Sequence, residues 1–163
     1  MSMKKATDLT GKVAWVTGSG RGMGRTHALL LAECGADLVV HDVLADEARE
    51  TARQAEAMGR RVFVSHADVS DPSATRDLVA QAIKALGKID ILVNNAGIGQ
   101  HGPIEDITVD DFDRMFSVHV KGSFFCGQAV IPSMKERRSG KIVNISSIWG
   151  MNGANTASHY CAA

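Results

Sequence analysis

A regular alternation constrains this chain more than any other feature. Short runs rich in valine and isoleucine recur along it, each separated from the next by a longer stretch with helical spacing. The runs predict strands at 12–18 (KVAWVTG), 36–42 (ADLVVHD), 61–68 (RVFVSHAD), 89–95 (IDILVNN) and 140–147 (GKIVNISS). Helices are predicted at 22–34 and 44–58, behind Asp71-Pro72, and at 109–137. Their ends carry stop and start signals. Gly35, Gly59 and Gly87 follow the first three helices, where a left-handed residue can close a helix. Ser70-Asp71-Pro72 reads as a cap followed by a first-turn proline, and Thr108 to Asp111 as a capping signature. Pro132 is expected to kink the long last helix. Strands that read as apolar runs between helices form a parallel sheet buried on both faces. Right-handed crossovers then give an α/β, doubly wound sheet of the dinucleotide-binding type, here one domain over 1–163 with no linker or repeat. Function in such a sheet lies in the loops beyond the carboxyl ends of the strands.

Composition narrows the partners. Lys plus Arg and Asp plus Glu are 18 each, a balance that points to neither nucleic acid nor an anionic membrane. No stretch approaches the ~18 apolar residues of a spanning helix, and MSMKKATDLTGK has no apolar run behind its lysines. Cys34, Cys126 and Cys161 form neither a metal pattern nor a disulfide framework, which fits a reducing, cytoplasmic setting.

The first functional loop reads TGSGRGMG at 17–24. Its spacing is T-G-x-x-x-G-x-G. Gly18 permits a tight turn out of the strand, Gly22 lets backbone approach a pyrophosphate, and Gly24 lets the helix pack close to the sheet. The helix behind the loop offers free N–H groups to phosphates. Met23 packs within this loop. Asp42 ends the second strand, 20 residues after Gly22, where a carboxylate accepts from both ribose hydroxyls of NAD and opposes a 2′-phosphate. NAD is therefore favoured; Arg21 keeps NADP open, because its guanidinium is able to pair with a phosphate. A glycine loop with a second-strand acid also suits a methyltransferase using S-adenosylmethionine, so that alternative stands at this point.

The rest of the chain carries a more specific pattern. TGSGRGMG, Asp68-Val69, NNAG at 94–97, Ser147, and Tyr160 thirteen residues later occur in this order. The set resembles the short-chain dehydrogenase/reductase family from Gly11 to Ala163. The resemblance implies hydride transfer between a nicotinamide and the carbon of a small-molecule alcohol or ketone. It implies that Asp68 and Val69 contact the adenine, that Asn95, Ala96 and Gly97 line the adenosine ribose, and that Asn94 holds neighbouring strands. Tyr160 would donate or accept the proton and Ser147 would hydrogen-bond the substrate oxygen. Tyrosine ordinarily titrates near ~10, so this role needs positive charge nearby.

Two departures stand out. The family places a lysine four residues after the tyrosine, at position 164, while the last residue is Ala163. The family's long helix carries an asparagine in a V-N-x-x-G pattern, where it holds a relay water. Here VHVKG at 118–122 puts His119 in its place, a side chain able to bind water or pass a proton near neutral pH. The other histidines, at 27, 41, 66, 101 and 159, read as structural or surface residues. Trp149, Met151, Asn155, Gly99, Gln100 and His101 are candidates for substrate specificity. The resemblance further implies that the chain is the N-terminal part of a longer homotetrameric enzyme. The alternative is an NAD-binding sensor without turnover.

Overall fold

The computed structural model describes residues 7–163. Five parallel strands form one sheet: β1 (Val13–Thr17), β2 (Asp37–His41), β3 (Val62–Ser65), β4 (Ile91–Asn94) and β5 (Lys141–Asn144). Their spatial order is β3-β2-β1-β4-β5. The chain thus winds outward from β1 on one side, then crosses over and winds outward on the other. The reversal lies between β1 and β4, which opens a crevice at their carboxyl ends.

Alternate residues of β1 face opposite layers, as strand geometry requires. Val13 and Trp15 join a core with Val39, Leu92, Leu78, Val79, Cys126 and Val130, beneath the helices α3 (Pro72–Leu86) and α5 (Gly122–Glu136). Ala14 and Val16 join a second core with Leu38 and Val40, beneath α1 (Gly22–Glu33) and α2 (Ala45–Ala57). That second layer is alanine-rich. Ala28, Ala32, Ala48 and Ala55 are buried, so both helices approach the sheet closely. Among the described residues no helix is long and apolar enough to cross a membrane.

The start and stop signals work as read. Asp71 accepts from the N–H groups of Ser73 and Ala74, Pro72 occupies the first turn, and Gly87 closes α3 at φ 91°. Thr108 and Asp111 cap α4 (Val109–Phe116) reciprocally. Each such cap is worth about 1 kcal/mol. The long predicted helix, however, is not continuous. A π-helical turn, Ser117–Lys121, separates α4 from α5 and contains His119. Inserted π turns of this kind re-aim side chains and collect at functional sites. Pro132 sits inside α5 without ending it, because Pro132 and Gln128, whose carbonyl loses its partner, are both exposed to water. The strands are also shorter than the apolar runs. Ser147 falls in the loop beyond β5, followed by α6 (Trp149–Asn152) and α7 (Ser158–Ala162), which carries Tyr160.

One buried acid ties the far end of the sheet together. Asp90 accepts from the Val13 N–H at 3.0 Å and from the Arg137 guanidinium at 2.8 Å, with the Lys88 ammonium at 3.2 Å. Burial pushes its pKa up, but the Val13 N–H, Lys88 and Arg137 outweigh it and hold the carboxyl below its ordinary value. β1, β4 and the end of α5 are thereby fixed at the amino ends of the strands, the edge of the sheet opposite the crevice.

Candidate active site

The glycine loop leaves β1 at Gly18, and α1 begins at Gly22 with φ +54°, in the left-handed region that favours glycine. A Cβ at Gly22 would meet nothing within 4 Å, so this backbone borders open space. Gly24 is the opposite case: a Cβ there would overlap the Gly18 carbonyl oxygen and lie 2.5 Å from Asn95 Nδ2. Gly24 therefore sets how closely α1 seats on the sheet. The α1 N-terminus has no side-chain cap and no acid in its first turn. Its N–H groups and partial positive charge are presented beside the open flank of Gly22, a combination that fits a pyrophosphate. Arg21 and Met23 are both exposed on this rim; Met23, 67% exposed, does not pack within the loop as expected, because α1 turns it outward beside the cavity.

The loop is held in shape by residues that do not face the open space. Gly20 is buried, and both its backbone groups are bonded: its N–H donates to Asp42 Oδ2 at 2.9 Å, and its carbonyl lies 3.2 Å from the Thr51 hydroxyl. Thr51 in turn accepts from Arg25 Nε at 2.9 Å, and Arg25 pairs with Glu47 at 2.6 Å. Asp42, 8% exposed, also accepts from the Leu44 N–H at 3.0 Å. Two backbone donors thus fix the carboxylate at the end of β2 while each oxygen keeps a further lone pair. Sequence reading found Asp42 but missed Gly20, Thr51 and Arg25. Only one signal was available, a threonine on the apolar face of an otherwise polar helix, since Arg25 lies on a different helix, 26 residues away.

The loops after β3 and β4 complete the groove. Asp68 is exposed and caps its own turn through Ser70 N–H at 2.8 Å. The Val69 side chain is buried in the core against Gly122, so only its backbone remains for a ligand. Buried His41 lies 2.6 Å from the Ala67 carbonyl. Burial lowers its pKa, against the pull of that carbonyl, so the ring is neutral near pH 7 and its Nε2–H donates to Ala67. It is structural, as read, and it pins the loop after β3. In NNAG, Asn94 bonds Asn144 and the Ser123 carbonyl, joining β4 to β5 and α5. The Asn95 side chain turns back onto the carbonyls of Thr17 and Gly18. Thr17 Oγ1 accepts from both the Asn95 and Ala96 N–H groups at 2.9 Å, stitching β4 to β1.

Beyond this groove lies a cavity of about 890 Å³. Met23, Ala96, Gly97, His119, Ser147 and Tyr160 line it together, although they come from five separate segments. Tyr160 sits edge-to-face between His119, at 5.3 Å between ring centres, and Trp149, at 6.0 Å. Ser147 Oγ accepts from the Trp149 N–H at 3.2 Å, which leaves its own hydrogen free to donate. His119 Nε2 lies 2.9 Å from the Ile98 nitrogen and 2.8 Å from the Ile98 oxygen. Of the specificity candidates, Gly99, Gln100, His101 and Trp149 line the cavity, while Met151 and Asn155 do not. Gly18, Arg21, Gly22, Gly24, Asp42, Asp68 and Val69 are not on its lining.

A model of the short chain dehydrogenase family matches residues 12–163. The chain is 43% identical over 143 residues to a hydroxy(phenyl)methylsuccinyl-CoA dehydrogenase subunit of Thauera aromatica, covering 88% of this chain and 58% of that one. It is 42% identical over 159 residues to the trans-4-hydroxycyclohexanecarboxylate dehydrogenase of Sinomonas cyclohexanicum, covering 93% and 61%. The fold matches the crystal structure of a short chain dehydrogenase from Mycobacterium paratuberculosis bound to NAD, with TM-score 0.91, 34% identity, and coverage of 95% and 62%. The chain thus spans about three fifths of the length of the proteins it matches.

Proposed function

Because this chain belongs to the short-chain dehydrogenase family, we propose that it forms the cofactor site and part of the catalytic centre of an NAD-dependent oxidoreductase acting on a secondary alcohol or ketone. The observation that carries the reading is the cavity in which Ser147 and Tyr160 meet the end of the glycine-loop groove.

The α1 N–H groups and the Gly22 backbone would hold the pyrophosphate. Asp42 would take the adenosine ribose hydroxyls, Asp68 and the Val69 backbone the adenine, and the 95–97 backbone the adjoining ribose. The bound nicotinamide supplies or accepts the hydride. Ser147, oriented by the Trp149 N–H, donates its hydrogen to the substrate oxygen. Tyr160 passes a proton to that oxygen in reduction and takes it in oxidation, and its hydroxyl makes no hydrogen bond to a described residue. Edge-to-face contact with His119 and Trp149 fixes the phenol ring, so the hydroxyl direction is set before substrate arrives. The Asp42 carboxylate, pinned by Gly20 and Leu44, opposes a 2′-phosphate, which favours NAD over NADP. Exposed Phe112, Phe124 and Ile131 on α4 and α5 support self-association of the whole protein.

The test is calorimetric titration of the whole protein with NAD and with NADP. NAD binding tighter than NADP, with the preference lost in Asp42→Ala, is expected. Heats from neither nucleotide would sink the reading.

A further inference from the structure

His119 Nε2 faces a donor and an acceptor at once. The Ile98 N–H donates toward it at 2.9 Å, and the Ile98 carbonyl oxygen lies 2.8 Å away. One ring nitrogen serves only one of them at a time. Unprotonated, Nε2 accepts from the Ile98 N–H; protonated, it donates to the Ile98 carbonyl. An asparagine amide would meet the two groups with two different atoms and would gain nothing from a change of protonation.

The ring itself is clamped. A Cβ on Gly97 would lie 2.7 Å from His119 Cε1, so the imidazole packs directly on that glycine, and it also meets the Tyr160 ring edge-to-face. The π-helical turn that carries His119 sets this placement. Nδ1 makes no hydrogen bond to a described residue and is not among the buried unpartnered atoms, so it is accessible, on a residue that lines the cavity. His101, Tyr160 and Cys161 are the other titratable side chains on the lining, and no Asp, Glu, Lys or Arg side chain lies there among the described residues.

We infer that the Ile98 backbone brackets His119 in both neutral tautomers and in the imidazolium without ring movement, making Nδ1 the proton donor and acceptor that recharges Tyr160. The proton balance is closed. In ketone reduction Tyr160 gives its proton to the substrate oxygen. A cavity water then reprotonates the phenolate as imidazolium Nδ1–H passes its proton to that water. The ring ends neutral, with Nε2–H still bonded to the Ile98 carbonyl, and takes its next proton from solvent. Alcohol oxidation runs the same transfers backwards. In the other neutral tautomer Nδ1–H donates to the cavity and Nε2 accepts from the Ile98 N–H.

The role in recharging Tyr160 rests on the function proposed above; the bracket does not, and the experiment separates them. Histidine-selective ¹⁵N labelling of the whole protein reads the tautomer of each ring, with the His119 signals assigned by their loss in His119→Asn. His41, which donates from Nε2 to Ala67, is the internal reference for a fixed tautomer. The expected result for neutral His119 is two nitrogen shifts averaged between the protonated and unprotonated values, beside a fully split pair for His41. A fully split, fixed pair for His119 would overturn the bracket. In kinetics, His119→Asn is expected to lower kcat and change the shape of the kcat–pH profile while NAD affinity stays within about twofold. An unchanged profile would overturn the recharging role. A protein that turns over no alcohol at all would remove the proposed function and leave the ring-nitrogen result standing.

Discussion

Two glycines two residues apart should fail in different ways when each is given one methyl group. At Gly22 the added Cβ has open space, so the folded chain bears only the left-handed backbone at φ +54°. That strain costs roughly 1–2 kcal/mol for an L-residue. At about 2–4 °C per kcal/mol for a domain of this size, melting should fall by only a few degrees. Yet the methyl projects where the pyrophosphate would approach. Loss of one backbone hydrogen bond to a charged phosphate is worth about 1.5–3 kcal/mol, which weakens NAD roughly 10- to 100-fold. At Gly24 the methyl overlaps the Gly18 carbonyl, which is backbone and unable to swing aside. α1 must lift from β1, an overpacking cost of about 3 kcal/mol, and melting should fall by about 6–12 °C. Thermal melts and NAD titrations on Gly22→Ala and Gly24→Ala check both. Gly22→Ala binding NAD like the parent would refute the phosphate path, and an unshifted melt for Gly24→Ala would refute the close seating of α1.

Thr51→Val removes the hydroxyl that holds the Gly20 carbonyl and takes the Arg25 Nε–H; NAD affinity should drop about tenfold, and Thr51→Ser should restore it, as titration would show. Asp90→Asn should cost roughly 2–3 kcal/mol at neutral pH by denaturant unfolding, since three charged or N–H donors converge on that carboxylate. Because the folded state holds the Asp90 pKa down, its contribution is present above the ordinary carboxylate range and is lost as pH falls toward the folded value. The gap between parent and Asp90→Asn should therefore close on acidification. Burial pushes the Cys126 thiol up to about 12, so thiol reagents should modify Cys34 and Cys161 in the native protein, and Cys126 only after unfolding, by mass spectrometry.

The strands, the caps at Asp71 and Thr108 and the stop at Gly87 were legible because each rests on local chemistry: apolar runs, a side-chain oxygen before free N–H groups, a left-handed glycine. The glycine loop, Asp42 and the NNAG segment were legible as positions, because each falls at the carboxyl end of a strand that an apolar run marks. The π-helical turn was not, since nothing in SVHVK marks a wider turn and the contacts of His119 with Ile98 and Gly97 are tertiary. Nor was Thr51 legible as a support of the loop, because its partner Gly20 lies 31 residues away. Both of the His119 hydrogen-bond partners belong to the backbone of one residue, Ile98, and backbone partners leave no mark in side-chain spacing. Ser147 and Tyr160 were placed by resemblance, and their meeting in one cavity depends on how the segment after β5 packs against α4 and the loop at Gly102.

The most direct measurement is absorbance of reduced nicotinamide when the whole protein meets NAD and a panel of secondary alcohols, run beside Tyr160→Phe. A phenol that supplies general acid–base catalysis should be worth at least about 100-fold in kcat. The account predicts turnover in the parent, and a loss of that size in Tyr160→Phe with NAD affinity unchanged. Equal turnover by parent and Tyr160→Phe would contradict it.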